Sequence, residues 1–276
     1  MKPIVIYTYD FDMGIGGIKV MHKLCHLLNE MGYESYLMPI FVRNEFLTYY
    51  DNTPIITEEI LNDIENCIVI YPEGIKYNPL NSKNVIRWIL GPPREEDIIT
   101  YSKDDMILWY TDYYYLEHVG QKENRLFILE FHEDIFFNQN KERKGTSYCI
   151  RKCKDPKFIH PKDAMFIPYH DAGDLIELSN LFNQTEKFYC YDNYTFLSVQ
   201  AAICGCISIV VPDGTKTKEE WLAGSALSKY GMAFGEDDIP RAIETLPLLY
   251  QEIDNINLEM YEQINIFINK CKNKFK

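Results

Sequence analysis

The amino-acid sequence predicts an α/β protein with two Rossmann-like domains that face each other across a cleft. The chain has 276 residues, which is long for one average domain and suits two. Apolar strand-like runs alternate with helices or loops through the first half, and a second alternation begins after a polar segment at residues 132–145. We therefore expect an N-terminal domain over residues 1–138, a second domain over 139–256 and a closing helix over 257–276 that packs back on the first domain.

The first half of the chain begins with a strand, a glycine-rich loop and a helix. Residues 3–9 are apolar enough for a buried strand, residues 10–17 form the loop, and residues 18–31 carry apolar side chains at helical spacing. A second parallel strand is expected at residues 33–40. Further strands are predicted at residues 67–71, 84–90, 105–110 and 125–130, with a short helix at 57–64.

The second half centres on residues 188–214, which predict a strand, a polar loop, a helix over 196–203 and a buried strand over 206–211. Gly205 ends the helix. Such a unit places a helix N-terminus beside the carboxyl end of a strand, where anions bind well. Asp192, Asn193 and Thr195 are each candidates to cap that helix. The other elements predicted here are a strand at 147–150 and helices at 172–182, 237–250 and 258–274.

Charge and composition limit the classes of partner. The formal net charge of −13 indicates no nucleic-acid partner, because nucleic-acid binders usually carry an extended basic surface. The eight cysteines include no CxxC pair, and His22 and His26 lack a neighbouring acid on their helix, so we expect no metal.

The expected location is the cytoplasm. Buried reduced thiols are typical of that compartment, and we find neither a signal peptide nor a membrane span. Lysines at the end of the last helix complement the helix dipole, and weak peripheral contact with the inner face of the membrane is the alternative interpretation.

A basic cluster at residues 141–162 is the sharpest charge feature. It holds eight Lys or Arg and two Asp or Glu, a local net charge of +6. Arg151 and Lys152 directly follow a predicted strand, so we place them at the carboxyl edge of a sheet, where ligands bind in open α/β folds. Both side chain types bind phosphate oxygens. A solvated basic surface is the alternative interpretation.

Three other sets of residues have both a functional and a structural interpretation. Gly16 and Gly17 allow close approach of a phosphate, or simply a tight turn. Asp192 and Gln200, eight positions apart, present oxygen acceptors to hydroxyl groups, or serve as a cap and an incidental polar residue. Arg87, inside an apolar strand, needs either a buried carboxylate partner or a place in the cleft.

These motifs resemble those of the GT-B glycosyltransferases. Residues 14–40 resemble the opening of the acceptor domain of that superfamily. Residues 192–214 resemble a GT4-like donor-domain signature, which has two glutamates eight positions apart where this chain has Asp192 and Gln200. Residues 71–88 are similar to a subgroup of bacterial cell-surface polysaccharide transferases.

The resemblance implies a glycosyltransferase of polysaccharide biosynthesis that moves a hexosyl or deoxyhexosyl group from a nucleotide-sugar donor to a glycan or lipid-linked acceptor, with no cofactor and no obligatory metal. It implies that Gly16 and Gly17 approach the donor phosphate and that Gln200 meets the ribose. Arg151 with Lys152 or Lys154 would hold the diphosphate. The remaining donor-side candidates are Asp192, Asn193, Tyr194 and Thr195.

The acceptor side has weaker candidates. Asp10, Asp12 and Glu73 are carboxylates able to orient or deprotonate an acceptor hydroxyl. Tyr71 and Arg87 are assigned to the cleft. A non-catalytic module that binds sugars or nucleotides on the same frame is the alternative function, because both positions of the donor signature are altered.

Overall fold

The computed structural model describes residues 1–41, 45–168 and 174–276. Within these ranges the chain forms two compact units: unit 1 is Met1–Glu130 with Leu258–Lys276, and unit 2 is Phe131–Asn257. The predicted helix over 172–182 begins outside the described residues, and its described part starts at Leu175.

Unit 1 is built on a five-stranded parallel sheet with the strand order β2-β1-β3-β4-β5. Because the first strand lies second in the sheet, the strand order reverses between β1 and β3, and ligands of open α/β sheets bind at such a point. The elements are β1 (Ile4–Thr8), α1 (Gly16–Glu30), β2 (Ser35–Pro39), α2 (Glu58–Asn62), β3 (Ile68–Pro72), β4 (Asn84–Ile89), α3 (Glu95–Ile98) and β5 (Met106–Trp109).

Unit 2 repeats this topology with the order β10-β9-β8-β6-β7, so its strand order reverses between β6 and β8. The connection from β6 to β7 contains no helix, whereas the matching connection in unit 1 is α1. The elements are β6 (Thr146–Cys149), β7 (Met165–Phe166), α4 (Leu175–Gln184), β8 (Lys187–Cys190), α5 (Phe196–Ile203), β9 (Ile207–Val210), α6 (Lys218–Ala223), β10 (Met232–Phe234) and α7 (Ile239–Lys274).

The core of unit 1 forms where α1 packs on the sheet. Leu24 and Leu28, one turn apart on α1, join a buried cluster with Ile6 of β1. Ile264 and Phe267 from the last turns of α7 belong to the same cluster. Burial of each such side chain contributes about 1.5–3 kcal/mol, so α1 and the end of α7 are strong stabilising elements of this unit.

Residues 125–130 were predicted to be a strand, and this prediction is wrong. They meet β5 only at one isolated bridge. Side chains replace a neighbouring strand: the Leu129 carbonyl accepts from Lys23 of α1 at 2.7 Å, and the Phe127 N–H donates to Gln263 of α7 at 3.0 Å. The backbone groups of a buried apolar run must be paired, and here helix side chains supply the partners.

Two helices were predicted near the C-terminus, at 237–250 and 258–274, and the structure has one continuous helix, α7. Residues 251–257 contain neither Gly nor Pro, so the helical hydrogen bonding continues through them. Pro247 lies inside the helix. None of the helices within the described ranges combines the length and apolar character that a membrane span requires.

Candidate functional site

The structure divides the basic cluster of the sequence into two groups, because β6 runs through it. The first group precedes β6 and makes structural contacts. Lys141 donates to Asn180 at 3.1 Å, and Lys144 pairs with exposed Glu142 at 2.9 Å. Arg143 donates to the Cys204 carbonyl at the end of α5, at 2.6 Å.

The second group follows β6, and its first three members are Arg151, Lys152 and Lys154. These residues lie at the carboxyl edge of the unit 2 sheet, beside the end of β8 and at the point where the strand order reverses. Lys152 and Lys154 are exposed, and neither forms an ion pair with another residue of the described ranges. Arg151 is half-buried. This edge therefore presents positive charge that the protein itself leaves available.

Asp192, the first residue of the donor signature, is buried and bonded to the backbone of residues 151–153, which follow β6. Its carboxylate accepts from the backbone N–H groups of Arg151 at 2.8 Å, Lys152 at 2.7 Å and Cys153 at 2.9 Å. Three consecutive N–H groups thus surround the carboxylate. The helix cap predicted for this position comes instead from Thr195, whose hydroxyl accepts from the Leu197 N–H at 3.4 Å.

The other donor-side candidates lie on the loop before α5 and on α5 itself. Asn193 donates to Asp213 at 2.9 Å. The Tyr194 hydroxyl donates to the Trp221 carbonyl at 3.0 Å, and the Tyr194 ring stacks on the Trp221 ring. Gln200 is buried on α5. The polar loop after β8 is therefore held in place by the segments that follow β9.

Asp213 and Thr215 form a network at this edge that the sequence analysis did not single out. Asp213 accepts from the Thr215 hydroxyl at 2.6 Å and from Asn193. Burial raises the pKa of Asp213, but the hydrogen bonds from Thr215 and Asn193 outweigh it, so the pKa is lowered. The Pro212-Asp213-Gly214 turn after an apolar strand was the available signal.

One group of described residues has the composition of a metal site. Cys149, Cys190 and Asp192 place three candidate ligand atoms within 4.8 Å of one another, with the two sulfur atoms 3.7 Å apart. The contact with Cys190 and burial raise the pKa of the Cys149 thiol. The Asp192 carboxylate already accepts three N–H bonds, and the absence of a metal remains a prediction.

The carboxyl edge of the unit 1 sheet carries acidic side chains. Asp10 accepts from the Leu47 N–H at 3.1 Å, and Asp12 accepts from the Gly14 N–H at 2.7 Å. Each of these carboxylates is positioned by a backbone donor, and Asp12 is exposed.

Glu73 follows β3 at the same edge and is fixed by the loop after β4. Its carboxylate accepts from the Leu90 N–H at 3.0 Å. A side chain at Gly91 would lie 2.8 Å from the Glu73 Oε1 atom, so this position of the carboxylate requires glycine there.

Gly16 and Gly17 are the first two residues of α1. A methyl group at Gly16 would meet nothing within 4 Å, and one at Gly17 would meet Leu90 at 3.7 Å, an ordinary contact. Packing therefore does not require either glycine. The helix has no side-chain cap at its N-terminus, and its first N–H groups lie at the carboxyl edge of the sheet.

Tyr71 and Arg87, assigned to the cleft by the sequence, are both almost fully buried within unit 1. The Arg87 Nε donates to Asp105 at 2.8 Å, so of the two alternatives for Arg87 the structure has the buried carboxylate partner. The guanidinium lies between the rings of Tyr71 and Tyr101, 4.9 and 4.8 Å from their centroids. Tyr71 donates to Asn78 at 2.9 Å.

Comparison with known proteins finds similarity in structure alone. No protein-family model and no curated protein sequence matches this chain. A mutant of the T4 phage beta-glucosyltransferase in complex with UDP-glucose is similar over 98% of this chain and 99% of its own, with a TM-score of 0.52 and 12% identity. An alpha-glucosyltransferase in complex with UDP and a 13-mer DNA is similar over 100% of both chains, with a TM-score of 0.45 and 12% identity.

The first of these similarities, together with the two five-stranded parallel sheets, confirms the predicted fold class: the chain is an α/β protein with the GT-B fold. The finer resemblances, to a GT4-like signature and to bacterial cell-surface polysaccharide transferases, remain predictions.

The partner prediction requires a correction. It excluded nucleic acid and named a glycan or lipid-linked acceptor, and it is contradicted by the DNA in the alpha-glucosyltransferase complex. The exclusion rested on the net charge of −13, which is a sum over the whole chain. A sum of that kind does not determine the field at one surface, as the basic edge of unit 2 itself demonstrates.

Proposed function

We propose that this protein is a glycosyltransferase that moves a sugar from a nucleotide-sugar donor to an acceptor hydroxyl. The observation that carries the proposal is the position of Arg151, Lys152 and Lys154, which follow the first strand of a parallel sheet at the point where its strand order reverses. The exposed cations among them, Lys152 and Lys154, suit a diphosphate. The GT-B fold supports the same interpretation.

The proposed chemistry rests on electrostatics. Transfer breaks the bond between the sugar and the diphosphate, and negative charge grows on the leaving diphosphate. Fixed cations stabilise that charge more strongly in the transition state than in the ground state. An Arg binds two phosphate oxygens at once, and a Lys supplies a point charge. Since side chains then do the neutralising, the proposal includes no obligatory metal.

Several finer assignments belong to the proposal. The first N–H groups of α5, after the Thr195 cap, add positive potential near the diphosphate. Gln200 on the same helix would meet the ribose, and Gly16 and Gly17 of unit 1 would approach the donor phosphate.

On the acceptor side, Asp10, Asp12 or Glu73 would orient the acceptor hydroxyl, and the transferred group would be a hexosyl or deoxyhexosyl residue. A cytoplasmic location agrees with the eight unpaired cysteines.

The first test is calorimetric titration with UDP, GDP, CDP and dTDP. We expect at least one of them to bind, and we expect Lys152→Ala to weaken that binding about 10- to 150-fold, which corresponds to about 1.5–3 kcal/mol. Lys144→Ala is the matched control, because Lys144 precedes the same strand and pairs with Glu142. Equal affinity of wild type and Lys152→Ala would remove Lys152 from the site.

The second test is turnover. Release of the nucleoside diphosphate from a panel of nucleotide sugars is measured with acceptors that present hydroxyl groups, duplex DNA among them, with and without a chelator. Transfer that survives the chelator supports catalysis by side chains alone. Binding without release across all acceptors would favour the non-catalytic binding module. That alternative is motivated by Asp192 and Gln200, which stand where the donor signature has two glutamates.

A further inference from the structure

The connection between β6 and β7 contains no helix, so contacts with other segments must hold its shape. In unit 1 the matching connection is a helix of 15 residues, stabilised by its own hydrogen bonds and its apolar face. In unit 2 it is an irregular segment that includes the exposed Lys152, Lys154 and Lys157. A segment with this many like charges repels itself and does not order without external contacts.

The first contact that orders it is the carboxylate of Asp192. It accepts the N–H groups of Arg151, Lys152 and Cys153 at 2.7–2.9 Å and is only 6% exposed. These bonds engage both carboxylate oxygens, and all three donors are backbone N–H groups of the loop. Bonds from three N–H groups to a charged acceptor are among the stronger hydrogen bonds of proteins.

The second contact comes from Tyr191, the preceding residue. Its hydroxyl accepts from the Ile159 N–H at 2.9 Å and lies 2.7 Å from the His160 Nδ1 atom. The His160 ring stacks on Tyr148 of β6 with 3.9 Å between ring centroids. Burial lowers the pKa of His160, which favours the neutral ring, and the Nδ1 atom shares a hydrogen bond with the Tyr191 hydroxyl.

We propose that Tyr191 and Asp192 are positioning residues that hold the basic loop, residues 151–160, in the shape that presents its cations to a diphosphate. The inference rests on the proposed function and changes the role of Asp192 within it. Asp192 acts on the donor through the backbone of the loop. A carboxylate that faced a diphosphate would repel it, whereas the three N–H bonds stabilise the charge of Asp192 against the backbone of the loop.

The experiment combines two readouts on Asp192→Ala, Asp192→Asn and Tyr191→Phe. Limited trypsin digestion reports order in the loop, because Arg151, Lys152 and Lys154 are cleavage sites only when the loop opens. Cleavage after Lys144 is the internal reference. We expect Asp192→Ala to speed loop cleavage about tenfold or more, since proteolysis tracks the population of the open form.

Calorimetry with UDP and the other nucleoside diphosphates is the second readout. Affinity should fall in step with loss of loop protection, and Asp192→Asn, which keeps one oxygen acceptor in place, should recover part of both. Tyr189→Phe is the matched control: Tyr189 lies two residues earlier, and its hydroxyl bonds to Glu236 outside the loop. Tyr191→Phe tests the proposal even if Asp192→Ala fails to fold.

The outcomes separate the two proposals. If the wild type binds no nucleoside diphosphate, the proposed function fails, while loop cleavage still tests the anchoring. If Asp192→Ala and Tyr191→Phe leave loop cleavage unchanged, the positioning role is overturned. It is also overturned if Asp192→Ala loses affinity with normal loop protection, because Asp192 would then contact the ligand directly.

Discussion

Unit 1 and unit 2 share one strand order but make the first connection of that order differently. In unit 1 the connection is α1, whose buried Leu24 and Leu28 join the core. In unit 2 it is the basic loop, which depends on two residues at the end of β8. The same strand order can therefore be built with either a helix or an anchored loop as the connection between its first two strands.

The chemistry at the two carboxyl edges differs in the same way. The edge of unit 1 presents the carboxylates of Asp10, Asp12 and Glu73, each held by a backbone N–H. The edge of unit 2 presents exposed lysines, and the carboxylate of Asp192 there is bonded to backbone N–H groups. Under the proposed function, the basic edge suits a diphosphate and the acidic edge suits a hydroxyl group.

The largest expected effect concerns the packing of the two connections. Leu24→Ala in α1 should lower the free energy of unfolding by about 2–5 kcal/mol, because it leaves a cavity in the core. Phe158→Ala, in the loop of unit 2, should cost less than about 1 kcal/mol, because that ring is 60% exposed. Urea denaturation measures both, and equal losses would contradict the contrast between helix and loop.

A smaller effect concerns Asp238 in unit 2, which pairs with Arg241 and Lys218. Burial raises the pKa of Asp238, but the hydrogen bonds from Arg241 and Lys218 outweigh it, so its pKa is lowered. Its contribution to stability is therefore present above the unfolded-state pKa near 3.9 and is lost as the pH falls through the lower folded-state pKa. Asp238→Asn should cost about 1–3 kcal/mol at pH 7.

Urea denaturation of wild type and Asp238→Asn at several pH values checks this. The difference between the two free energies of unfolding should be constant from neutral pH down to about pH 5 and shrink below about pH 4. A difference that persists undiminished at pH 3 would mean that packing, rather than the charge of Asp238, supplies the stability.

The smallest effect concerns the glycines at the start of α1. Gly16→Ala should raise the free energy of unfolding by about 0.4–1 kcal/mol, because alanine restricts the unfolded chain and meets no neighbour here. If the glycine serves ligand approach, donor affinity should fall in the same variant. Unchanged affinity would favour the tight-turn interpretation, and a loss of stability would contradict the open surroundings of Gly16. Thermal unfolding and calorimetry are the two measurements.

Much of the fold could be predicted from local patterns. The helix predicted at residues 196–203 has the same bounds as α5, since an apolar run there lies between a polar cap and Gly205. The apolar run at residues 125–130 fits a strand by its local pattern, and side-chain bonds from other segments, including Lys23 of α1 and Gln263 of α7, take the place of strand pairing. The continuity of α7 through residues 251–257 was missed because Asp254, Asn255 and Asn257 are weak helix formers. The buried apolar residues nevertheless keep their helical spacing through this stretch, at Leu249, Ile253, Ile256 and Met260.

The candidate site was predicted less completely than the fold. The sequence placed Arg151 and Lys152 after a strand, and they follow β6 as expected. The sequence analysis treated the basic cluster as one feature. In the structure Lys144 precedes β6 and Lys152 follows it, so the two lysines lie at opposite ends of that strand. Tyr191 escaped notice because an aromatic residue at a strand end carries no local sign of a hydroxyl that bonds to a loop 31 positions away.

The sequence by itself determined the α/β class, the two sets of parallel strands, the glycines at the start of α1 and the basic residues after β6, since each depends on spacing along a short stretch of chain. The tertiary structure decided which polar groups pair. Arg87 met Asp105, 18 positions away, and Asp192 met the backbone of the loop at 151–153, about 40 positions away. Buried charges must find partners, and the register of the sheet, which no local pattern encodes, decides which partners are within reach.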